Sequence, residues 1–354
     1  MRTRTIAVLA GDGIGPEVVA QSLRVLGAVE ELLPGDSFVL QEFSVGAQEF
    51  LRSGDPLPPD TLRRIGQCDA VLLGAMGLPD VRRPNGVEMA PQLDLREHFQ
   101  LYAGIRPIYL FHAADSPLKA CRAGDIDFVI VRESTEGLFS ARKGSSSLAD
   151  PEACDLMRIS RATSERLFRA AFRLAATRRK YVTLVDKANV LPSMAYFRGI
   201  FDEVAREFPD IATDRIYVDA AALYLVERPH TFDVIVTENM FGDILSDLAA
   251  GLVGGMGMAP SADIGDTFAV FQPSHGSAPS IAGRGIANPV ATILSVAMML
   301  DWFGAARGAA LIQSAVRRIF ANPETRTVEM RGSLGTVAMT DALIDAMRRI
   351  GSEA

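Results

Sequence analysis

Asp243 and Asp247 stand four residues apart in Phe241-Gly-Asp-Ile-Leu-Ser-Asp247. On a helix that spacing puts both carboxylates on one face, where like charges repel unless a cation or solvent separates them. Hard oxygen ligands of this kind suit Mg²⁺ or Mn²⁺, which commonly take one or two carboxylates together with water and substrate. The alternative is a solvated helix face. Lys187, in Asp186-Lys-Ala-Asn-Val190, follows an apolar run directly. Near carboxylates it could serve as an acid or base; otherwise it is a surface lysine. Arg96, Arg106 and Arg132 are candidates for holding anions, because guanidinium forks match carboxylates bidentately. Three of them on one ligand would imply a di- or tricarboxylate, whereas each alone reads as a salt-bridged surface residue. His275-Gly-Ser-Ala-Pro279, with Gly-Arg-Gly-Ile-Ala-Asn-Pro over 283–289, has the composition of a binding loop. Its backbone N–H groups could meet phosphates, and His275 an adenine or a phosphate.

The elements that must position these groups are short apolar runs at 6–10, 70–73, 128–131, 182–185 and 234–237, which read as buried strands. Segments of 3.6-residue periodicity, such as 164–178 and 192–208, lie between them. This alternation predicts α/β layers with mostly parallel strands. The runs end on polar residues: Gly11-Asp-Gly13, Gly74, Arg132-Glu133, Asp186-Lys187 and Glu238-Asn239. In open α/β sheets ligands bind just beyond such carboxyl ends. Gly11-Asp-Gly-Ile-Gly-Pro-Glu17 has G-x-G-x-G spacing rather than the dinucleotide fingerprint, and no acid closes a second strand about 20 residues later. It reads as a tight strand-to-helix turn, with Pro16 in the first turn and Glu17 favoured by the helix dipole. The polar stretch 145–151 reads as an exposed loop or arm.

A chain of 354 residues, 48% hydrophobic, predicts well-buried cores and about two domains. Its net charge of −7 is spread over dispersed charges of both signs, so no basic face points to nucleic acid. Cys68, Cys121 and Cys154 lack CxxC spacing, which implies neither a zinc knuckle nor a disulfide framework. The apolar run near the N-terminus is too short for a signal peptide, and no run reaches the roughly 18 residues of a membrane span. The expectation is a soluble cytoplasmic enzyme without a nucleic-acid or membrane partner.

Together these motifs resemble the β-decarboxylating, isocitrate/isopropylmalate dehydrogenase family, in particular its isopropylmalate and tartrate members. The match runs from Ala10 to Thr336. Its most specific parts are Val185-Asp-Lys-Ala-Asn-Val190, the segment Thr237-Glu-Asn-Met-Phe-Gly-Asp-Ile-Leu-Ser-Asp247, and His275-Gly-Ser-Ala-Pro279 with Gly285-Ile-Ala-Asn-Pro289. The resemblance implies a two-domain isopropylmalate dehydrogenase-like α/β fold, not a Rossmann fold. Residues 1–98 plus 255–354 would form the cofactor-side domain, and 99–254 the second domain with the dimer interface and arm. It also implies a homodimer with shared active sites. Arg96, Arg106 and Arg132 would bind the substrate carboxylates. Asp243 and Asp247, with Asp219 from the neighbouring chain, would hold Mg²⁺ or Mn²⁺. Lys187 and Asp219 would be the catalytic pair. Asn189 would lie near the nicotinamide, and His275, Gly276, Ser277, Ala278, Pro279 and Asn288 would hold the adenosine half of NAD. Glu329 is a candidate second acid for the ribose, and NADP is the other candidate cofactor. The implied reaction is metal-dependent oxidation, with decarboxylation, of a 3-isopropylmalate-like acid, tartrate or D-malate. The alternatives are an isocitrate-type dehydrogenase and a non-catalytic regulatory paralogue.

Four positions depart from the family pattern. Phe139 stands where the family usually has the tyrosine of the protonation step. The segment Glu88-Met-Ala-Pro-Gln-Leu-Asp-Leu95 has neither the paired leucines of isopropylmalate enzymes nor the Ser-x-Asn of isocitrate enzymes. Ser280 replaces the acid that follows His-Gly-Ser-Ala-Pro in NAD-specific members. Arg331 stands where isopropylmalate enzymes tend to have glycine.

Overall fold

The computed structural model describes residues 2–119, 121–146 and 148–353. Strand β1 (Arg2–Gly11) turns into α1 (Gly15–Leu32), followed by β2 (Asp36–Glu42), the short helices α2 (Ala47–Ser53) and α3 (Pro59–Ile65), and β3 (Ala70–Ala75). Next come α4 (Pro91–His98), β4 (Ala103–Tyr109), β5 (Asp127–Glu133), α5 (Arg161–Ala176), β6 (Tyr181–Asp186) and α6 (Pro192–Ala205). Strand β7 (Ala212–Tyr217) runs straight into α7 (Val218–Glu227), and β8 (Val234–Thr237) into α8 (Asn239–Gly251). The chain closes with β9 (Pro260–Ile264), β10 (Ala269–Pro273), α9 (Val290–Trp302), α10 (Ala306–Phe320) and α11 (Thr336–Glu353).

The expected α/β architecture is present as one ten-stranded sheet, ordered β2-β1-β3-β10-β9-β4-β5-β8-β6-β7. Each flank is parallel: β1 with β2 and β3, β3 with β10, and β5, β8, β6 and β7 in succession. The middle is antiparallel, because β9 reverses against β10, β4 against β9, and β5 against β4. Parallel strands need both faces covered. On one flank α1, α9, α10 and α11 bury Ile6, Leu72, Phe271, Ile293 and Met339 on one face, while Leu9, Val71 and Leu73 pack on the other. On the second flank α5 and α6 stack Phe168, Phe172, Phe197 and Phe201 over Val131, Leu184 and Val236. The opposite face takes Leu245 and Ala249 of α8 and Leu225 of α7.

Local chemistry sets the boundaries. Pro16 sits in the first turn of α1, with Glu17 beside the N-terminal dipole. Ser160 caps α5 through its hydroxyl to the Thr163 N–H, and Glu238 caps α8 by accepting from the Phe241 N–H at 2.6 Å. The 145–151 stretch carries no helix or strand among its described residues. Among the described residues no helix is long and apolar enough to cross a membrane.

Candidate active site

Arg96 comes from α4, Arg106 from β4 and Arg132 from the end of β5, yet all three line one cavity of about 230 Å³. The sheet's antiparallel middle brings them together, since β4 stands between β9 and β5. Behind them lies Asp263 of β9, with no solvent exposure. Its carboxylate accepts from Arg96 Nε at 2.8 Å and Arg106 Nη2 at 3.2 Å. It also accepts from Gln272 Nε2 at 2.7 Å and Ser134 Oγ at 3.3 Å. Burial alone would raise the Asp263 pKa, but the charges of Arg96, Arg106 and Arg132 hold it below the ordinary carboxylate range. Conversely, burial lowers the Arg106 pKa.

Arg132 is fixed differently. Its Nε and Nη2 both donate to Asn239 Oδ1, at 2.9 and 2.7 Å, and its Nη1 pairs with Asp243. The first turn of α8 rides close over this side chain: a Cβ on Gly242 would lie 2.6 Å from Arg132 Cγ. The Phe139 ring packs against the guanidinium, whose carbon is 5.1 Å from the ring centroid. Burial, reinforced by Arg96, pushes the Arg132 pKa down to about 10, which leaves it charged at neutral pH.

Asp243 and Asp247 of α8 line the same cavity. The Asp243 side chain is 46% exposed. Burial and the neighbouring Asp243 charge both raise the Asp247 pKa, the signature of two carboxylates that a cation would relieve. Among the described residues no three His, Cys, Asp or Glu side chains gather into a cation site. The chain's own cavity therefore offers two carboxylates, a number that suits Mg²⁺ or Mn²⁺ when water and substrate supply the remaining oxygens.

Lys187 and Asp219 pair with each other, Nζ to Oδ1, at 2.8 Å. They lie just past the ends of β6 and β7, and neither lines the arginine cavity. Strand β8 separates β6 from β5, so the pair sits along the sheet edge from Arg132. The Asp219 side chain is 70% exposed, and its hydrogen bond from Lys187 lowers its pKa. Asn189 occupies the exposed turn that follows, and Val190 beside it, Leu223 and Val226 of α7 and Ile244 of α8 expose apolar side chains.

The 274–289 loop joins the cavity through His275 and Gly276. His275 Nδ1 meets the Gly276 carbonyl at 3.0 Å, while Nε2 is buried without a partner among the described residues. Burial lowers the His275 pKa, so the ring is neutral at physiological pH. The Ile14 N–H donates to the Ser277 carbonyl at 2.8 Å. Gly13 is required here: it has φ +58°, and a Cβ would fall 2.0 Å from that carbonyl oxygen. Ala278 also has positive φ, at 40°. Of the loop's backbone N–H groups, those of Gly283 and Gly285 donate to the Glu17 carboxylate and tie the loop to α1. Asn288 and Glu329 converge over Gly257, whose N–H donates to Glu329 Oε1 at 3.2 Å. An orphaned imidazole nitrogen at one end of this loop and an amide next to a carboxylate at the other are groups suited to a nucleotide.

Two site residues escaped the sequence reading, Asp263 and Gln272, whereas Asn239 was among the polar strand ends it picked out. An acid inside the short strand Pro-Ser-Ala-Asp-Ile was the one available signal for Asp263, since buried carboxylates need partners.

Residues 5–347 match the family model described as isocitrate/isopropylmalate dehydrogenase. The 3-isopropylmalate dehydrogenase of Moorella thermoacetica is 47% identical over 326 residues, covering 89% of this chain and 90% of that protein. The isocitrate/homoisocitrate dehydrogenase of Thermus thermophilus is 44% identical, covering 98% of this chain and 99% of its own length. The crystal structure of isocitrate dehydrogenase from Methylococcus capsulatus superposes with a TM-score of 0.88 at 36% identity, covering 98% of this chain and 99% of that one. With the arginine cavity, the α8 carboxylates and the His275 loop on one sheet edge, and with this similarity over nearly its whole length, the chain belongs to the isocitrate/isopropylmalate dehydrogenase family.

Proposed function

We propose that this chain is a metal- and NAD-dependent dehydrogenase that oxidises a malate-type 2-hydroxy acid, 3-isopropylmalate-like, tartrate or D-malate, and releases its β-carboxylate as CO₂. The observation that carries this reading is the convergence of Arg96, Arg106 and Arg132 with Asp243 and Asp247 on one cavity. Guanidinium groups grip the substrate carboxylates, and the two aspartates, joined by Asp219, would hold a divalent cation. When bound, the cation supplies Lewis-acid polarisation of the substrate oxygen and NAD⁺ supplies the hydride acceptor. Lys187 Nζ, oriented by Asp219 Oδ1, would exchange the hydroxyl proton. His275, Ser277 and Asn288, with their loop neighbours, would hold the adenosine half, with Glu329 at its ribose and Asn189 by the nicotinamide.

That neither Lys187 nor Asp219 lines the arginine cavity of its own chain supports a homodimer in which each cavity is completed by the other subunit's pair. The exposed Leu223, Val226 and Ile244 on α7 and α8 fit such an interface. The segregation of buried cores supports two domains, residues 1–98 with 255–354 and residues 99–254, with the substrate cleft along their junction at β9 and β4. An isocitrate-type substrate is the second reading, favoured by the relative in Thermus thermophilus.

The test is a panel of D-malate, tartrate, 3-isopropylmalate and isocitrate, each with NAD⁺ or NADP⁺ and Mn²⁺, followed by reduced cofactor. Turnover of a malate-type acid with NAD⁺ is expected. No turnover with any of them, together with no Mn²⁺ binding by calorimetry, would sink the proposal.

A further inference from the structure

Strands β4 and β9 pair over a short ladder, from Ala103 with Ile264 to Ile105 with Ala262. Continued in the same register, the ladder would set Pro107 opposite Pro260. Neither proline has an N–H to donate, so the two strands part there without an orphaned donor at either residue. Each strand keeps its outer partner, with Pro107 beside Val129 of β5 and Pro260 beside Pro273 of β10. The gap opens into a second cavity, of about 210 Å³. Successive strand residues face opposite ways, so Arg106 lines the arginine cavity while Pro107 lines this one.

Tyr109, Phe111, Met258, Leu294 and Met298 give this cavity apolar walls, and two arginines stand at it. Arg178 is committed: its Nη2 donates to Asp127 Oδ1 at 2.8 Å and its Nε to Asp233 Oδ1 at 2.9 Å. Arg317 of α10 has no carboxylate partner among the described residues; its guanidinium carbon lies 5.1 Å from the centroid of the Tyr109 ring. Phe111 packs edge-on against that ring at 4.8 Å, which fixes the surface the arginine lies on. Gln313, one turn earlier on the same face of α10, adds an exposed amide. The result is an apolar cavity with one uncommitted, pre-ordered cation at its mouth.

We propose that this cavity is a binding site for a small monocarboxylate, an acid group carried on a single ring or a short branched chain. The carboxylate meets Arg317 and Gln313, and the apolar body fills the gap between the strands. The volume lies below the roughly 300–1,000 Å³ of pockets for drug-sized ligands, which limits the body to that size. A second carboxylate is disfavoured, because Arg178 is already paired, Asp127 repels it and the walls offer no hydrogen bonds. The assignment is independent of the substrate reading of the arginine cavity.

Methionine methyl groups report on both cavities by NMR, since Met258 and Met298 line this one and Met76 lines the arginine cavity. Full-length protein with isotope-labelled methionine methyls, assigned through Met258→Leu, Met298→Leu and Met76→Leu, is titrated with phenylpropionate and with its neutral amide, phenylpropionamide. Phenylpropionate should shift the Met258 and Met298 signals saturably. The amide should bind about threefold or more weakly, the scale of a charge pair open to solvent. Arg317 is exposed, so its replacement leaves the fold intact; Arg317→Gln should weaken the acid to the level of the amide and leave the amide unchanged, with Arg317→Lys in between. No saturable shift at Met258 and Met298, or a shift at Met76 alone, overturns the assignment. So does an amide as tight as the acid, or an acid whose affinity Arg317→Gln does not change. Where all three signals move, the Arg317→Gln titration decides: loss of affinity supports the site and its absence overturns it.

Discussion

The Arg132 guanidinium carbon lies 5.1 Å from the centroid of the Phe139 ring, so the ring's electron-rich face helps hold an arginine that lines the substrate cavity. Phe139 is the second residue of the short 3₁₀ turn Leu138–Lys143 that follows β5, which brings the ring back over the strand end the chain has just left.

A ring in that place can orient but cannot protonate. Phe139→Tyr keeps the stacking and adds a donor at the cavity wall, so the decarboxylated product should form faster relative to cofactor reduction. Phe139→Ala loses the stacking, worth about 0.5–2 kcal/mol for such contacts, and should raise KM several-fold with a smaller effect on kcat. Parallel measurement of CO₂ release and NADH formation checks both. An unchanged or slower CO₂ yield in Phe139→Tyr would mean that water or another group already does the protonation.

Sharing of the site between subunits is open to a mixing experiment. Lys187→Ala and Asp247→Ala should each abolish turnover while leaving the fold intact by circular dichroism, because Lys187 packs at the surface and Asp247 is exposed. If Lys187 completes the partner's cavity, co-refolding the two inactive proteins gives heterodimers with one intact site each. Activity should return to roughly a quarter of wild type, from random pairing in a two-fold dimer. No recovery would mean that Lys187 acts within its own chain or that no dimer forms.

The fold was legible where physics is local. Val182–Val185 and Val234–Thr237 lie in strands buried on both faces, and a continuous apolar run is enough to recognise them. Strand β4 escaped because Gly104, Arg106 and Pro107 break its pattern. Pro107 is tolerated there since pairing with β9 stops at Ile105, so no ladder donor is lost on that side. The arginines themselves were legible, but their convergence was not. It depends on β9 and β4 meeting, and on Asp263, an acid more than 150 residues from either partner in the chain. The G-x-G-x-G turn was read correctly as a turn, yet the use of Glu17 to anchor a loop 266 residues away could not be seen.

Glu133 makes stability depend on pH. Its side chain is buried, and burial raises its pKa from 4.5 to about 7, despite hydrogen bonds from Thr135 and Glu136 that favour the ionised form. The folded protein therefore binds a proton that the unfolded chain releases between pH 4.5 and about 7. The protonated group's contribution is fully present below the unfolded value and is lost as pH rises through that window, a loss on the order of 3 kcal/mol. Urea denaturation between pH 5 and 8 should be less pH-dependent in Glu133→Gln than in wild type, whatever the offset between the two curves. Parallel curves would show that Glu133 titrates near its ordinary value.

Arg331 gives a prediction in the stabilising direction. It ends the 3₁₀ turn Val328–Met330 with φ 61° and ψ 24°, the left-handed region that glycine occupies freely and a branched-off Cβ does not. The turn is held without its side chain, by the Arg331 N–H to the Val328 carbonyl and the Gly332 N–H to the Thr327 carbonyl. Relief of the strained backbone outweighs glycine's greater freedom in the unfolded chain at such positions, so Arg331→Gly should stabilise by about 1 kcal/mol. For a chain of this size that corresponds to a rise in Tm of roughly 1–3 °C. A lower Tm would mean that the arginine's charge, which with Arg326 opposes the rise that burial imposes on the Asp115 pKa, matters more to the fold than its backbone angle.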